Sequence, residues 1–538
     1  MNTLIHLVDR HSWYSRIAHF FALDKHQRKA KRVIGKRSYP KRDRIVLVEA
    51  WQPGLSQLAL SFFLPALLNH LHATPVNYYM MPRNNYIDLK ERIRHHFSVS
   101  KTYGIHRMKL FGPRPSNWNQ YLKEAEELIA VNSNPLKFEK LCRRGIRIGD
   151  LVYDQYLRAS KNPTLIFSDP LLVLKLAECI SYQESLENYF DSHHVVSVCV
   201  SHTMYHLGLP TRIATARGID SFQVNALSID RINRDFPQAY TDFKLYPETF
   251  RKFPKIVSDY GLAQAEIQLQ SKLTGDLTYT NIDESISIYS YLQTPKHKPP
   301  DKNNLVVLVA VHDFFDAVHV YGDNLFPDLM CWLNFLAEIA SQTNYSWWLK
   351  IHPYDRGVGE KILQDFVLQN SKFILLPKAT ATSSVINYID IALTINGTIA
   401  IELAFLGKPV LNASTNNPHS RYGFSLSPNS IAEYRQILLN LSETLDTFVI
   451  NRGEVLEYYA VHSALRLPSW LVTNIRQISK QIGYSSTISW EILDYVDLEQ
   501  DIYPREKIDK ALSNFLRSSD PALNLTHWED YDLILLPK

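Results

Sequence analysis

Cysteine is scarce. The four in 538 residues, Cys142, Cys179, Cys199 and Cys331, stand far apart and form no CxxC pair. That excludes a disulfide framework and a thiolate zinc site, and a reducing cytoplasm is the expected compartment. Glycine is also scarce, at 18 residues against 30 Tyr, so the chain is no linker-rich or low-complexity protein. Tyr fills cores, and aromatic faces also pack on sugar rings. Charge of one sign is lacking: a net +4 is too small to argue for nucleic acid. Long apolar runs are missing as well. The longest, Leu58–Leu68, is 11 residues interrupted by Ser61 and Pro65, where a membrane span needs ~20. Met1–Val8 has no charged-then-apolar signal layout. A soluble cytoplasmic protein, or one peripheral at an inner membrane, is expected.

The charge that is present lies at the ends. Residues 1–44 carry twelve Lys/Arg against three Asp, and residues 494–538 carry ten Asp/Glu against five Lys/Arg. The block Lys25–Arg44 follows the aromatic-aliphatic stretch Trp13–Leu23. Such an arm suits an anionic membrane surface, or is simply solvated.

Between the ends, strands and helices alternate. RIVLV (44–48) reads as a buried strand, Ser56–Leu71 as a helix and VNYYM (76–80) as the next strand. Helices are expected at Trp118–Val131 and Pro170–Phe190, and strands at Val195–Val200 and Phe222–Val224. Thr294–Asn304 has three Pro and no large apolar side chain, which marks a linker. A second alternation follows. Strands are expected at 305–311, 347–351, 373–376, 391–395 and 409–411, with helices between them. Strict alternation with short connections means doubly wound parallel sheets, whose ligands sit at the carboxyl ends of the strands. The expected division is a basic arm (1–44), a Rossmann-like domain (45–293), the linker (294–304), a second Rossmann-like domain (305–450) and C-terminal helical segments (451–538) returning to the first domain.

Two motifs fall at strand ends of the second domain. In Lys350-Ile351-His352-Pro353, His352 can donate to phosphate, Lys350 can support the charge and Pro353 ends the strand. In Thr394 to Glu402 (TINGTIAIE), a turn at Asn396-Gly397 leads into a helix near Thr398. Its free amides and the Thr398 hydroxyl suit an anion. Glu402 lies one turn further on and can accept ribose hydroxyls. A capped helix with a solvated Glu is the plain alternative.

Together these motifs resemble the nucleotide-binding half of GT-B glycosyltransferases. More narrowly, they resemble the bacterial capsule transferases that use CMP-activated Kdo or sialic acid. His312 in VHDFFDA (311–317) stands where that group has a His on its first strand-to-helix loop. The resemblance covers about residues 305–430. It is looser over Ile148–Asp154 and Ser201–Tyr205, and the acidic-acidic-Gly motif of the sialyltransferases has no clear copy. It implies an α/β GT-B fold, with two Rossmann-like domains facing an interdomain cleft. His312, Lys350, His352, Pro353, Asn396, Gly397, Thr398 and Glu402 would hold the nucleotide. The partners would be a nucleotide-sugar donor, CMP-linked, and a glycan or glycolipid acceptor.

Inverting transfer needs a base across the cleft. Asp150, after GIRIG, and His202, after VVSVCV, are the candidates; a helix cap and a core histidine are their structural alternatives. No metal and no cofactor is implied, since fixed dipoles can serve one leaving phosphate. Asp313 and Asp316 are the pair that would take a cation. A CDP-alditol phosphotransferase, a UDP-sugar 2-epimerase and a non-catalytic nucleotide-binding scaffold remain open on the same residues.

Overall fold

The computed structural model describes residues 37–50, 54–81, 100, 103–113, 115–274, 304–352, 355, 357–378, 380, 382–467, 469–471, 505–529 and 531. The basic arm up to residue 36, the expected linker up to residue 303 and Pro353 lie outside the described residues.

The first sheet holds β1 (Ile45–Glu49), β2 (Thr74–Met80), β3 (Met108–Phe111), β4 (Val195–Val200), β5 (Ser221–Val224) and β6 (Ile229–Ile232). Their order across the sheet is β3-β2-β1-β4-β5-β6. All neighbours run parallel except β5 and β6, which form a hairpin. The second sheet holds β7 (Val306–Ala310), β8 (Ser346–Lys350), β9 (Phe373–Leu375), β10 (Ile391–Thr394) and β11 (Val410–Asn412), in the order β9-β8-β7-β10-β11 and parallel throughout. These are two Rossmann-like sheets, the GT-B arrangement expected from the sequence.

The continuous apolar runs arise because both faces of each sheet are covered. In β1, Val46 and Val48 join one core while Ile45 and Leu47 join the opposite one. The same alternation divides Val307 and Val309 from Val306 and Leu308 in β7, and Trp347 from Trp348 in β8. Helix α1 (Gly54–Leu71) covers one face of the first sheet. On the other face lie α2 (Trp118–Val131), α3 (Gly149–Ser160), α4 (Pro170–Ser192) and α5 (Leu209–Ala216). Helix α2 buries Trp118, Tyr121, Ala125 and Ile129, a single helical stripe. Helix α6 (Lys255–Thr274) closes the first half. Helices α7 (Leu329–Gln342) and α8 (Ile399–Phe405) cover opposite faces of the second sheet.

Helix α9 (Arg452–Tyr459) buries Val455 and Tyr458 with Val257 and Leu269 of α6 and Ile401 and Phe405 of α8. Helix α10 (Arg505–Arg517) lies against the first domain. Phe515 packs edge-on against Phe222 of β5, and Phe222 against Phe63 of α1.

A buried ionic cluster joins the domains. His319, in the segment between β7 and α7, places Nδ1 2.7 Å from Asp154 of α3 and Nε2 3.2 Å from Glu139. All three side chains are buried. Burial alone would lower the imidazole pKa, but the carboxylates outweigh it and push it up to about 10. Beside it, Arg147 reaches Asp323 at 2.5 Å. Asp328, the N-cap of α7, also accepts from Tyr153 and, at 2.6 Å, from Thr164.

Removing one partner of a buried charge cluster leaves the others uncompensated, at ~3–5 kcal/mol. His319→Ala should therefore lower stability by about that amount in a urea melt. Because the folded pKa of His319 lies above the unfolded value near 6.5, its contribution is full below pH 6.5 and is lost as pH rises towards about 10. Melts of the parent chain from pH 6 to 10 should show that loss, and His319→Ala should flatten it.

Candidate active site

In both sheets the strand order reverses beside the first strand, between β1 and β4 and between β7 and β10. Loops leaving the carboxyl ends of those strands diverge, and a crevice opens between them. Candidate residues stand at both crevices.

At the second, His312 follows β7 and places Nε2 3.0 Å from Thr394 Oγ1, at the end of β10. The Gly397 amide donates to the same oxygen at 3.3 Å. His352, after β8, stacks on His312 with ring centroids 6.3 Å apart and planes at 19°. Burial, then the neighbouring His352, lower the His312 pKa to about 4. Burial also lowers that of His352, against the opposing pull of Asp313 and Asp316. The pair is therefore neutral at pH 7, and each ring has one N–H to donate. Gly397 permits the close fit: a Cβ there would lie 2.8 Å from Thr394 Oγ1 and 3.1 Å from His312 Cε1.

The remaining donor-side candidates are more dispersed. Thr398 is exposed at the start of α8 and its side chain makes no capping bond. Asn396 is half-buried beside it. Lys350 is buried and donates to the Thr380 carbonyl at 2.8 Å. Burial lowers its pKa to about 8, against an opposing pull from Glu402. Glu402 is buried and accepts from Lys272 of α6 at 3.0 Å, an ion pair between the two halves. That pair engages one of the two carboxylate oxygens. Asp313 and Asp316 each accept from a backbone amide within two residues, as turn caps do. Among the described residues no group of three or more His, Cys, Asp or Glu is placed to hold a metal ion.

At the first crevice, Ser201 donates its amide (2.7 Å) and its hydroxyl (2.9 Å) to Glu49 Oε2, at the end of β1. His202 Nδ1 lies 2.9 Å from Ser201 Oγ. The Ser201 proton is committed to the carboxylate, so Nδ1 supplies the proton of this bond. That assigns the Nδ1–H tautomer and leaves Nε2 a lone pair. Burial and then Arg158 lower the His202 pKa, which keeps the ring unprotonated at pH 7. Glu49 and Ser201 were missed by sequence reasoning. The signal was a carboxylate directly after the IVLV run of β1.

Asp150 sits elsewhere, buried in the first turn of α3. The N-cap there is Ile148, so Asp150 is no cap. It accepts from Arg212 at 2.6 and 2.7 Å. Burial would raise its pKa, but Arg212 outweighs burial and holds it below the ordinary carboxylate range. A carboxylate so paired is a weak base, and its lone pairs are occupied.

Protein-family models and curated protein sequences give no match. Solved structures do. A UDP-GlcNAc 2-epimerase from Neisseria meningitidis bound to UDP-GlcNAc is 13% identical over 78% of this chain and 97% of its own, with a TM-score of 0.23. KpsC of Thermosulfurimonas dismutans, a beta Kdo 2,4 transferase, is 12% identical over 49% and 79%, at 0.29. The wall teichoic acid polymerase TagF is 9% identical over 94% and 97%, at 0.22. Scores this low carry no argument about activity. Among the described residues no helix is long and apolar enough to cross a membrane.

Gly397→Ala should displace His312 at a cost of about 1–3 kcal/mol, typical of overpacking. A thermal melt reads that loss, and the His312 ring resonances in an NMR spectrum should move. An unchanged spectrum would mean that the turn yields instead of the imidazole.

Proposed function

We propose that this chain transfers a sugar from a nucleotide-activated donor to a hydroxyl acceptor. The phosphate of the donor would sit at the β7/β10 crevice and the acceptor at the β1/β4 crevice. The observation that carries this reading is the neutral His312–His352 pair stacked above the close turn at Gly397. Neutral imidazoles donate hydrogen bonds to phosphate, and either can take up a proton as charge develops on the leaving group.

In the proposed step an acceptor oxygen attacks the anomeric carbon, and the bond from that carbon to the phosphate oxygen breaks. The acceptor proton passes to Nε2 of His202, and the nucleotide leaves with one more negative charge. The bond from His202 Nδ1 to Ser201, itself bonded to Glu49, holds the ring and leaves Nε2 its lone pair for that proton. Of the two base candidates, this favours His202 over the ion-paired Asp150. A CMP-linked donor of the Kdo or sialic acid type is the finer proposal, resting on the motif resemblance. A glycan or glycolipid of a bacterial surface polymer would be the acceptor.

Purified chain incubated with CMP-, CDP- and UDP-sugars and a glycan acceptor should release CMP only when acceptor is present. Isomerised UDP-sugar would point instead to an epimerase, CMP release from a CDP-alditol to a phosphotransferase, and binding without turnover to a scaffold. His202→Ala should lower kcat by ~10²–10⁴-fold while leaving CMP affinity unchanged. Glu49→Gln should lower it less and shift the acid limb of the pH–rate profile. His352→Ala should weaken CMP binding in calorimetry.

Phosphate beside His352 should raise a pKa that lies below 6.5 in the free chain. Binding then takes up a proton, so CMP affinity should strengthen as pH falls through 6.5. In His352→Ala that slope should diminish.

A further inference from the structure

A second cavity lies away from both crevices, where the C-terminal segments close on the first domain. It is lined by residues from Asp242–Phe253, from Val461–Trp470 and from Asp520–Trp528, with Leu227 from the β5–β6 turn. That turn follows β5, so this wall stands at the same carboxyl edge of the first sheet as Ser201 and His202. The cavity and its mouth enclose about 710 Å³ of empty space, of which about 50 Å³ is open to the centres of water molecules. At ~10–15 Å³ per water on that measure, several waters fit.

The wall chemistry is mixed in a particular way. Arg466 makes no side-chain hydrogen bond and no salt bridge among the described residues. Asp242 acts on it electrostatically from beyond ion-pair distance. A guanidinium with five N–H donors therefore faces the cavity alongside a carboxylate that only accepts. Asp520, by contrast, is already engaged by Lys252 at 3.3 Å and His527 at 3.2 Å. Two aromatic residues, each 3% exposed, lie at the edge of the cavity beside the polar pair. Trp470 is fixed by its Nε1–H to the Asn225 carbonyl at 2.8 Å, and Tyr246 by its hydroxyl to His462 Nδ1 at 3.2 Å.

The balance of charge selects the ligand. Asp242 and Asp230 both lie within electrostatic reach of Arg466. An anionic ligand would meet the wall carboxylates Asp242 and Asp520, and a cation would meet the guanidinium. A neutral molecule with hydroxyls that both donate and accept fits both groups, and its apolar C–H groups fit the leucines of the wall. We infer that this cavity binds one neutral sugar ring, with hydroxyls bonded to Arg466 and Asp242 and its C–H groups against Leu227, Leu467 and Leu523. Taken with the transferase reading above, it would hold a unit of the acceptor glycan beyond the reacting hydroxyl. The binding itself does not depend on that reading.

Saturation-transfer NMR on the full chain with glucose, galactose, mannose, N-acetylglucosamine and glucuronate tests this. At least one neutral sugar should give ring-proton transfer, and glucuronate should give less. Asp242→Asn keeps the side chain's shape and should weaken that sugar at least tenfold; Arg466→Lys should do the same. Should Arg466→Lys fail to fold, Asp242→Asn still decides. His352→Ala should leave sugar binding intact, so loss of nucleotide binding and loss of sugar binding are read separately. No transfer from any neutral sugar, equal binding by Asp242→Asn, or preference for glucuronate would overturn the inference.

Discussion

His319 reaches out of the second domain and is held between Asp154 and Glu139 of the first. The rest of the molecule depends on this contact, because it fixes how the segment after β7 lies against α3. An imidazole buried alone would lose its proton, and two carboxylates buried alone would repel one another. Together they keep a positive charge between two negative ones, in a place where water cannot screen them. The same segment carries His312 at one end and the α7 cap Asp328 at the other. Asp328 again accepts from first-domain side chains, Tyr153 and Thr164. One short stretch therefore delivers an imidazole to the β7/β10 crevice and ties the two domains together.

The two crevices follow from the same strand order used twice. In each sheet the first strand is flanked by one that comes earlier and one that comes later in the crossover pattern, so loops part at its carboxyl end. The chain places a different device at each. At β7/β10, two neutral imidazoles stack beside a close glycine turn, with His312 and the Gly397 amide both on Thr394 Oγ1. At β1/β4, a carboxylate orients a serine and the serine orients a histidine. On the proposed reading, one crevice would hold negative charge and the other would take a proton. Transfer between a phosphate-linked donor and a hydroxyl needs those two capacities on opposing walls.

The ion pairs show which partners the tertiary structure gives to residues that look catalytic in sequence. Asp150 reads as an available carboxylate after a glycine. Arg212, 62 residues later, occupies both of its oxygens. Glu402 reads as a ribose ligand one turn into a helix, and Lys272, 130 residues earlier, holds one of its oxygens. Neither partner has any local signature. Conversely Glu49 lay just past the expected strand 44–48, and only the return of the chain at Ser201 gave its carboxylate something to orient.

By itself the sequence determined the elements and the fold class. Continuous apolar runs such as IVLV and VVLVA, which burial on both sheet faces enforces, and helical stripes such as Trp118–Ile129 are local properties. They fixed most strands within a residue, and with them the carboxyl edges where His202, His312, His352 and Gly397 stand. The antiparallel strand β6 and the short edge strand β3 had too few apolar positions to be read. What only the tertiary structure decided is which polar side chains meet. Hydrogen bonds and ion pairs join residues tens to hundreds of positions apart, and no periodicity records such pairings. The joining of His319 to Asp154, of Lys272 to Glu402 and of Ser201 to Glu49 became visible only when the chain had closed on itself.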